Sequence, residues 1–159
     1  MKVYLASPLG FAASTTHFME ELERALARTG IEVLNPWKSD FGPEFRHASA
    51  IADQAERIAA LGQINTRVAH ANESSIRACD MVLAVLDGVD VDSGTASEMG
   101  FAYALGKRVH GLRTDSRLIG DNEGSVINLQ VQYWIEASGG TLVRRLEDAV
   151  TLFERSETG

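Results

Sequence analysis

The chain has a single cysteine, Cys79, and no long apolar run. One cysteine cannot form an internal disulfide, and it excludes a zinc site built from cysteines. A reducing, cytoplasmic compartment is therefore the expected location. The longest apolar stretches are too short to span a membrane, and residues 1–8 are too short in their apolar part for a signal peptide. We expect no membrane association.

Positive charge is also scarce. The chain has 15 Lys and Arg residues and 22 Asp and Glu residues, which gives a net charge of -7. Surfaces that bind nucleic acid need clustered Lys and Arg, so this balance argues against a nucleic-acid partner. A length of 159 residues suffices for one domain with a full core and is too short for two ordinary ones. We therefore expect a single domain over residues 1–159.

What the chain does have is a regular alternation of strand and helix patterns. Ser14 or Thr15 is the expected cap of the first helix, and Gly30 its C-terminal stop. Gly62 divides the long central helical pattern into two helices. The predicted strands are residues 2–6, 31–34, 81–86, 108–112 and 141–143, and the predicted helices are residues 15–29, 46–78, 94–106, 126–137 and 146–156.

Near-continuous apolar strands separated by helices predict an α/β fold with a mostly parallel sheet of about five strands, covered by helices on both faces. Ligands of such sheets bind beyond the carboxyl ends of the strands. One of these positions is an aromatic loop after the second strand, with Trp37, Phe41 and Phe45, in which Gly42-Pro43 interrupts regular structure. These aromatic rings either stack on a ligand or close an edge of the core.

The acidic segment from Asp87 to Gly100 lies at another of these positions, between a buried strand and a helix. It is not a calcium loop, because Phe101 occupies the place of the bidentate glutamate. No phosphate-binding glycine motif follows a strand, and the four histidines lack the spacing of metal ligands. We predict neither a metal nor a cofactor, and we interpret Asp87 and Asp90 as solvated loop residues.

Glu98 has two interpretations. With Thr95 it fits the S/T-x-x-E pattern of a helix capping box. It also shares a helical face with Phe101, Ala102 and Leu105, and a place in the first turn would favour its ionised form. An ionised, partly buried carboxylate at the ligand edge of a sheet is suited to nucleophilic attack on carbon.

Four segments carry a resemblance to a known family. The most specific is Asp-x-Gly-Thr-Ala-x-Glu-x-Gly followed by Ala-x-Ala-Leu-Gly-Lys, from Asp92 to Lys107. Residues 3–11, 75–80 and 127–129 match in the same order. Together they resemble the nucleoside 2-deoxyribosyltransferase family.

The resemblance implies a flavodoxin-like (Rossmann-like) three-layer enzyme, a glycosyltransferase that moves 2-deoxyribose from a 2′-deoxynucleoside to a free purine or pyrimidine base. Glu98 would attack C1′ and form a deoxyribosyl-enzyme ester. Tyr4 would orient Glu98, and Asp92 would assist the departing base or hold sugar hydroxyls. Asn128 would complete the site of a neighbouring subunit, which makes the protein a homo-oligomer, a dimer or higher. The substrate-binding residues would be Ser7, Phe11, Trp37, Asn72, Gly94 and Asn128.

Other interpretations of these residues remain open. Tyr4 is also a plausible core residue and Asn128 a plausible helix cap. Some members of the family carry an aspartate that acts on the base at the position of Asn72. An amide forms hydrogen bonds with a base but cannot protonate it, and the neighbouring Glu73 points about 100° away on a helix.

Two other functions compete with the transferase. One is a 2′-deoxynucleoside 5′-phosphate N-hydrolase, which shares the nucleophile but passes the sugar to water. Its phosphate would need cationic partners in the first loop, where Ser7 is followed by Pro8-Leu9-Gly10-Phe11 without Lys or Arg. The other is a non-catalytic nucleotide-binding module that uses the same crevice.

Overall fold

The computed structural model describes residues 1–154, and strands and helices alternate along this part of the chain. The elements are β1 (Lys2–Ala6), α1 (Thr16–Ala27), β2 (Glu32–Leu34), α2 (Gly42–Ser49), α3 (Gln54–Ala78), β3 (Met81–Val85), α4 (Ser93–Ala104), β4 (Arg108–Leu112), α5 (Leu129–Ala137), β5 (Leu142–Val143) and α6 (Leu146–Glu154). The predicted C-terminal end of the last helix, Ser156, lies outside the described residues.

The five strands form one sheet in the order β2-β1-β3-β4-β5, and every neighbouring pair is parallel. This is the flavodoxin-like order 2-1-3-4-5, in which the winding direction reverses between β1 and β3. The predicted fold class is confirmed. The reversal also leaves a crevice beyond the carboxyl ends of β1 and β3.

Both faces of the sheet are buried, which explains why its strands are apolar throughout rather than alternating. Val3 and Leu5 of β1 pack in one cluster with residues of α1 and α6. Tyr4 and Ala6, on the opposite face, pack with residues of α3, α4 and α5. The helices therefore form the two outer layers of a three-layer sandwich, and Tyr4 faces the layer that contains α3 and α4.

The segment that holds the three aromatic residues is more regular than predicted. A short 3-10 turn covers Pro36–Lys38, and α2 begins at Gly42, immediately before Pro43. Proline is well tolerated in the first turn of a helix, because backbone N–H groups there have no partner within the helix. Gly42-Pro43 thus starts a helix instead of interrupting structure.

The long helical pattern is divided at a different place from the predicted one. Helix α3 continues through Gly62, and the break falls at residues 50–53, where the Asp53 side chain caps α3 by accepting from the Glu56 N–H at 2.8 Å. A glycine costs a helix about 1 kcal/mol. Helix α3 tolerates this penalty at Gly62, and the Asp53 cap decides where the helix begins.

The start of α1 also differs from the prediction. Thr15 stands at the N-cap position, but its hydroxyl donates to the carbonyl oxygens of Leu9 and Ala12 and caps nothing. These bonds hold the first loop in a compact turn. Gly30 has a φ of 79°, the left-handed conformation expected after a helix. No helix within residues 1–154 is both long and apolar enough to cross a membrane.

Candidate active site

A cavity of about 620 Å³ opens at the carboxyl ends of β1 and β3, where the winding of the sheet reverses. Its walls come from the first loop, the aromatic segment before and in α2, α3, and the start of α4. Seven of the nine predicted site residues line it, namely Ser7, Phe11, Trp37, Asn72, Asp92, Gly94 and Glu98. The fold thus brings together residues that are widely separated in the chain.

The Glu98 carboxylate is held by two other elements. The Tyr4 hydroxyl, on β1, donates to Glu98 Oε1 at 2.7 Å. The Asn72 amide, on α3, donates to the same oxygen through Nδ2 at 3.3 Å. Tyr4 itself is fully buried behind the cavity wall. It is both a core residue and a hydrogen-bond donor to Glu98, so the two interpretations of this residue are compatible.

Glu98 does not belong to a capping box. Helix α4 begins at Ser93, and its cap is Asp92, whose Oδ2 accepts from the Thr95 N–H at 2.8 Å and from Thr95 Oγ1 at 3.1 Å. Glu98 is therefore the sixth residue of the helix and lies in its second turn. The predicted place in the first turn is wrong by about one turn of the helix.

This position changes the electrostatics of Glu98. Burial raises the pKa of its carboxyl group, and the nearby charge of Asp92 raises it further. The hydrogen bonds from Tyr4 and Asn72 act in the opposite direction, but the pKa remains above its ordinary value. The expectation that the helix end favours the ionised form is therefore wrong, because the field of the helix end falls off within one turn. Burial and the Glu98 charge raise the pKa of Tyr4, which remains a protonated donor.

Aromatic rings form one wall of the cavity. Trp37 donates from Nε1 to the Ser7 carbonyl oxygen at 2.8 Å, and Phe11 meets its ring edge-on with centroids 4.5 Å apart. A Cβ on Gly10 would lie 2.0 Å from the indole, so only glycine lets the first loop pass this closely. Phe41 and Phe45 line the same cavity. These rings present flat apolar surfaces of the kind on which a nucleobase stacks.

Two predicted binding residues are engaged within the protein. The buried Ser7 hydroxyl accepts from the Leu9 N–H at 3.1 Å and approaches Met19 Sδ at 3.5 Å. Gly94 keeps space beside the acidic cap, since a Cβ there would lie 3.1 Å from Asp92 Oδ2. Both residues line the cavity while shaping the segments around it.

Asn128 lies outside this cavity. Its Oδ1 accepts from the backbone N–H groups of Gln130 and Val131, at 3.0 and 3.3 Å, and so caps α5. The helix-cap interpretation is correct within the chain. Its predicted role in a neighbouring subunit stays a prediction.

Sequence reasoning missed several lining residues. Asn65 and Val68 join Asn72 on the cavity side of α3, at the i, i+3, i+7 spacing of one helix face. Because Asn72 was already a predicted site residue, this spacing in the sequence could have indicated Asn65 and Val68 as further lining residues. Among residues 1–154, the set that lines the cavity contains two carboxylates, Asp92 and Glu98, and no Lys, Arg or His.

Arg113 was missed altogether. It follows β4 directly, is fully buried, and donates to the carbonyl oxygens of Leu86, Gly88 and Arg117. Its Nε has no hydrogen-bond partner among residues 1–154. The guanidinium thus fastens the loop that leads from β3 to Asp92. A charged residue directly after a buried strand was its only sequence signal.

The solvated role predicted for Asp87 is wrong. Its carboxylate accepts from the Thr114 N–H at 2.6 Å, from Thr114 Oγ1 at 2.7 Å and from the Asp115 N–H at 2.8 Å. It therefore joins the loops that follow β3 and β4. Asp90 is exposed, as predicted. Within residues 1–154 no group of three His, Cys, Asp or Glu side chains could hold a metal ion.

The sheet is flavodoxin-like, and a hydrogen-bonded carboxylate lies at its switch point. These two features define a class of α/β proteins with a concave ligand site, which here has an aromatic wall. The chain belongs to the nucleoside 2-deoxyribosyltransferase family, whose model matches residues 3–130.

Solved structures agree with this assignment. A conserved protein from Enterococcus faecalis is 26% identical, with a TM-score of 0.73 and 98% of each chain covered. A 2-deoxyribosyltransferase from Leishmania mexicana is 25% identical, with a TM-score of 0.66 and 97% of each chain covered. A CMP N-glycosidase from Clostridium botulinum shares the fold at 18% identity, with a TM-score of 0.55 and coverage of 97% of this chain and 99% of that one.

Proposed function

We propose that the protein is a nucleoside 2-deoxyribosyltransferase that forms a covalent deoxyribosyl-Glu98 intermediate. The observation that carries the proposal is the Glu98 carboxylate, held at 2.7 Å by the buried Tyr4 hydroxyl on the wall of an aromatic cavity. A carboxylate that is partly removed from water and fixed by donors is a competent nucleophile toward an electrophilic carbon.

The reaction has two displacements at C1′ of the sugar. In the first, a Glu98 oxygen forms a bond to C1′ while the bond from C1′ to the base nitrogen breaks, and the base leaves with that electron pair. In the second, a nitrogen of the incoming base attacks C1′, and the electron pair of the ester bond returns to Glu98. The base nitrogens lose and gain their protons to water, so Glu98 ends each cycle unchanged.

Asp92 suits a binding role better than an acid role. Its Oδ2 already accepts two hydrogen bonds from Thr95, and it lines the cavity next to Gly94. A carboxylate held in this way accepts further donors, such as the hydroxyl groups of a deoxyribose. We assign Asp92 to the sugar and the aromatic wall of Phe11 and Trp37 to the base.

The charge of the cavity supports an unphosphorylated substrate. The lining residues within 1–154 include two carboxylates and no cationic side chain, so a 5′-phosphate bound against them would meet repulsion. The homo-oligomer remains part of the proposal. In it, Asn128 would offer Nδ2 to a neighbouring site, since its Oδ1 caps α5.

The test is incubation of the protein with deoxyinosine and adenine, followed by chromatographic separation of the products. We expect deoxyadenosine and hypoxanthine in equal amounts, and far less hypoxanthine when adenine is omitted. Hypoxanthine release that is the same with and without adenine would identify a hydrolase. Turnover of deoxyinosine 5′-phosphate but not of deoxyinosine would identify the phosphate-dependent N-hydrolase, and no turnover of either would favour a binding module.

Tyr4→Phe should lower kcat/KM by roughly 10- to 100-fold, the worth of a hydrogen bond to a charged group. The hydroxyl stabilises ionised Glu98 and so lowers its pKa. Without it the pKa rises, and the acid limb of the pH profile moves to higher pH, because the reaction needs the ionised form. The pH dependence of kcat/KM measures both effects.

Tyr103→Phe is the matched control, because Tyr103 is on α4 but contacts Tyr133 and does not line the cavity. It should leave rate and pH profile close to those of the unmodified protein. A Tyr4→Phe variant that behaved like this control would remove Tyr4 from the mechanism.

A further inference from the structure

Both donors to Glu98 converge on one of its two oxygens. Oε1 accepts from the Tyr4 hydroxyl of β1 at 2.7 Å and from Asn72 Nδ2 of α3 at 3.3 Å. Oε2 receives no hydrogen bond from any of residues 1–154. The two oxygens of the carboxylate are therefore not equivalent, and only one is free to approach a ligand.

The orientation of the Asn72 amide follows from this contact. A carboxylate only accepts hydrogen bonds, so Nδ2 must face Glu98 and Oδ1 must point elsewhere. One of the two N–H groups of Asn72 Nδ2 is thus engaged by Glu98.

The same contact lies between two cavities. Asn72, Gly94 and Glu98 line both the large cavity and a groove of about 330 Å³ between α3 and α4. The groove is bordered by Ile76 of α3 and Phe101 of α4. Without the Asn72 bond, Oε1 would keep only the Tyr4 hydroxyl as a donor, and Oε2 could then turn about that contact toward the groove. The Asn72 bond therefore acts on where the carboxylate points as well as on its pKa.

Two titratable groups act on Glu98 from the elements around it, Asp92 from the start of α4 and Tyr4 from β1. Glu73 of α3 lines the same groove. Glu73 is paired with Arg77 at 2.7 Å, which leaves Asp92 as the like charge that raises the pKa of Glu98. An uncharged donor at position 72 supports the carboxylate without adding another like charge.

We infer that Asn72 is a positioning residue for the nucleophile: it holds Oε1 of Glu98 so that Oε2 attacks C1′, and it acts on the reaction through Glu98. This inference rests on the proposed function. It differs from the interpretation of Asn72 as a base-binding residue, because the hydrogen bond that the structure gives this side chain is to Glu98.

The test uses Asn72→Asp and Asn72→Leu, which are close in size to asparagine. The protein is labelled with ¹³C at the glutamate side-chain carboxyl carbon, and the Glu98 signal is identified by its loss in Glu98→Gln. We expect the titration midpoint of Glu98 to rise in both variants. The rise should be on the order of one pH unit for Asp, which adds a like charge, and smaller for Leu, which only removes a donor.

Asn65→Asp is the matched control. Asn65 lines the same cavity from the same helix, two turns from Asn72, a separation of about 10 Å. It adds the same charge to the cavity without touching Glu98. Its shift of the Glu98 midpoint should be clearly smaller than that of Asn72→Asp, and an equal shift would overturn the inference.

The kinetic measurement is kcat/KM against pH with a purine and a pyrimidine acceptor. The acid limb should move with the Glu98 midpoint, equally for both acceptors. An unmoved midpoint and acid limb, with a change of KM for one class of base only, would make Asn72 a base contact. The titration needs no turnover, so it tests the inference even when the product assay contradicts the proposed function.

Discussion

Replacing Glu98 with glutamine should reduce deoxyribosyl transfer by on the order of 10⁴-fold or more, the scale on which loss of a nucleophile acts. Glutamine keeps the shape and an oxygen that accepts from Tyr4 and Asn72. It lacks the negative charge needed to form the ester with C1′. Product formation from deoxyinosine and adenine measures the loss. After incubation with a 2-fluoro deoxynucleoside, mass spectrometry of peptides should find a sugar adduct on Glu98 and none in the variant.

The same substitution should not destabilise the protein at neutral pH. The pKa of Glu98 is higher in the folded protein than in the unfolded chain, so the unfolded state loses its proton first as pH rises. Stability therefore falls as pH rises from the pKa of Glu98 in the unfolded chain to its pKa in the folded protein. At neutral pH the ionised side chain is a net cost to the free energy of unfolding. Glutamine removes that cost, so thermal unfolding should occur at an equal or higher temperature.

Asp90→Asn is the matched control for Glu98→Gln. Asp90 belongs to the same acidic segment, but it is exposed and accepts only from the N–H of the next residue. Its replacement should change activity by less than about twofold, as expected of an exposed charge. A Glu98→Gln variant that kept a tenth of the activity, or an adduct on another residue, would contradict the covalent mechanism.

Arg113→Met should lower the free energy of unfolding by about 3 kcal/mol, because it leaves buried carbonyl groups without their charged donor. The guanidinium bonds to three carbonyl oxygens, those of Leu86, Gly88 and Arg117. For a chain of this size the expected fall in melting temperature is roughly 6–12 °C. Thermal and denaturant unfolding both measure it.

Activity should fall as well, by on the order of tenfold, because the loop fastened by Arg113 leads to Asp92 and small displacements of a binding group are costly. Arg117→Met is the control. The Arg117 side chain is 60% exposed and pairs with Asp115, and such surface pairs contribute about 1 kcal/mol or less. Equal stability of the two variants would show that Arg113 does not hold this loop.

The fold was predictable because its signals are local. Each strand of the sheet is a short apolar run, and longer segments with a helical pattern separate the strands. The order of the strands, and hence the switch point, was implied by the resemblance to the family and is confirmed by the structure. The element ends were less predictable. Asp53 sets the start of α3 by capping it, and Pro43 stands in the first turn of α2, where proline is favoured. The glycine signals at Gly62 and Gly42 obscured both.

The site was predictable as a location and in its central residue, but not in its electrostatics. Glu98 stood out in the Asp92–Lys107 motif, yet the helix starts at Ser93, which puts Glu98 beyond the reach of the helix end. Burial then reverses the expected direction of its pKa. Burial is a property of the packed molecule, and no pattern in a single segment reports it.

By itself, the sequence determined the parallel α/β sheet, the edge of that sheet at which the cavity lies, and, in the Asp92–Lys107 motif, the carboxylate that we propose as the nucleophile. These depend on periodicity and on spacing within short segments. Only the tertiary structure decided what that carboxylate contacts. Tyr4 and Asn72, 94 and 26 residues away in the chain, meet on one oxygen of Glu98. Hydrogen bonds and desolvation act over a few ångströms in space, whatever the separation along the chain, so they exist only once the layers have packed.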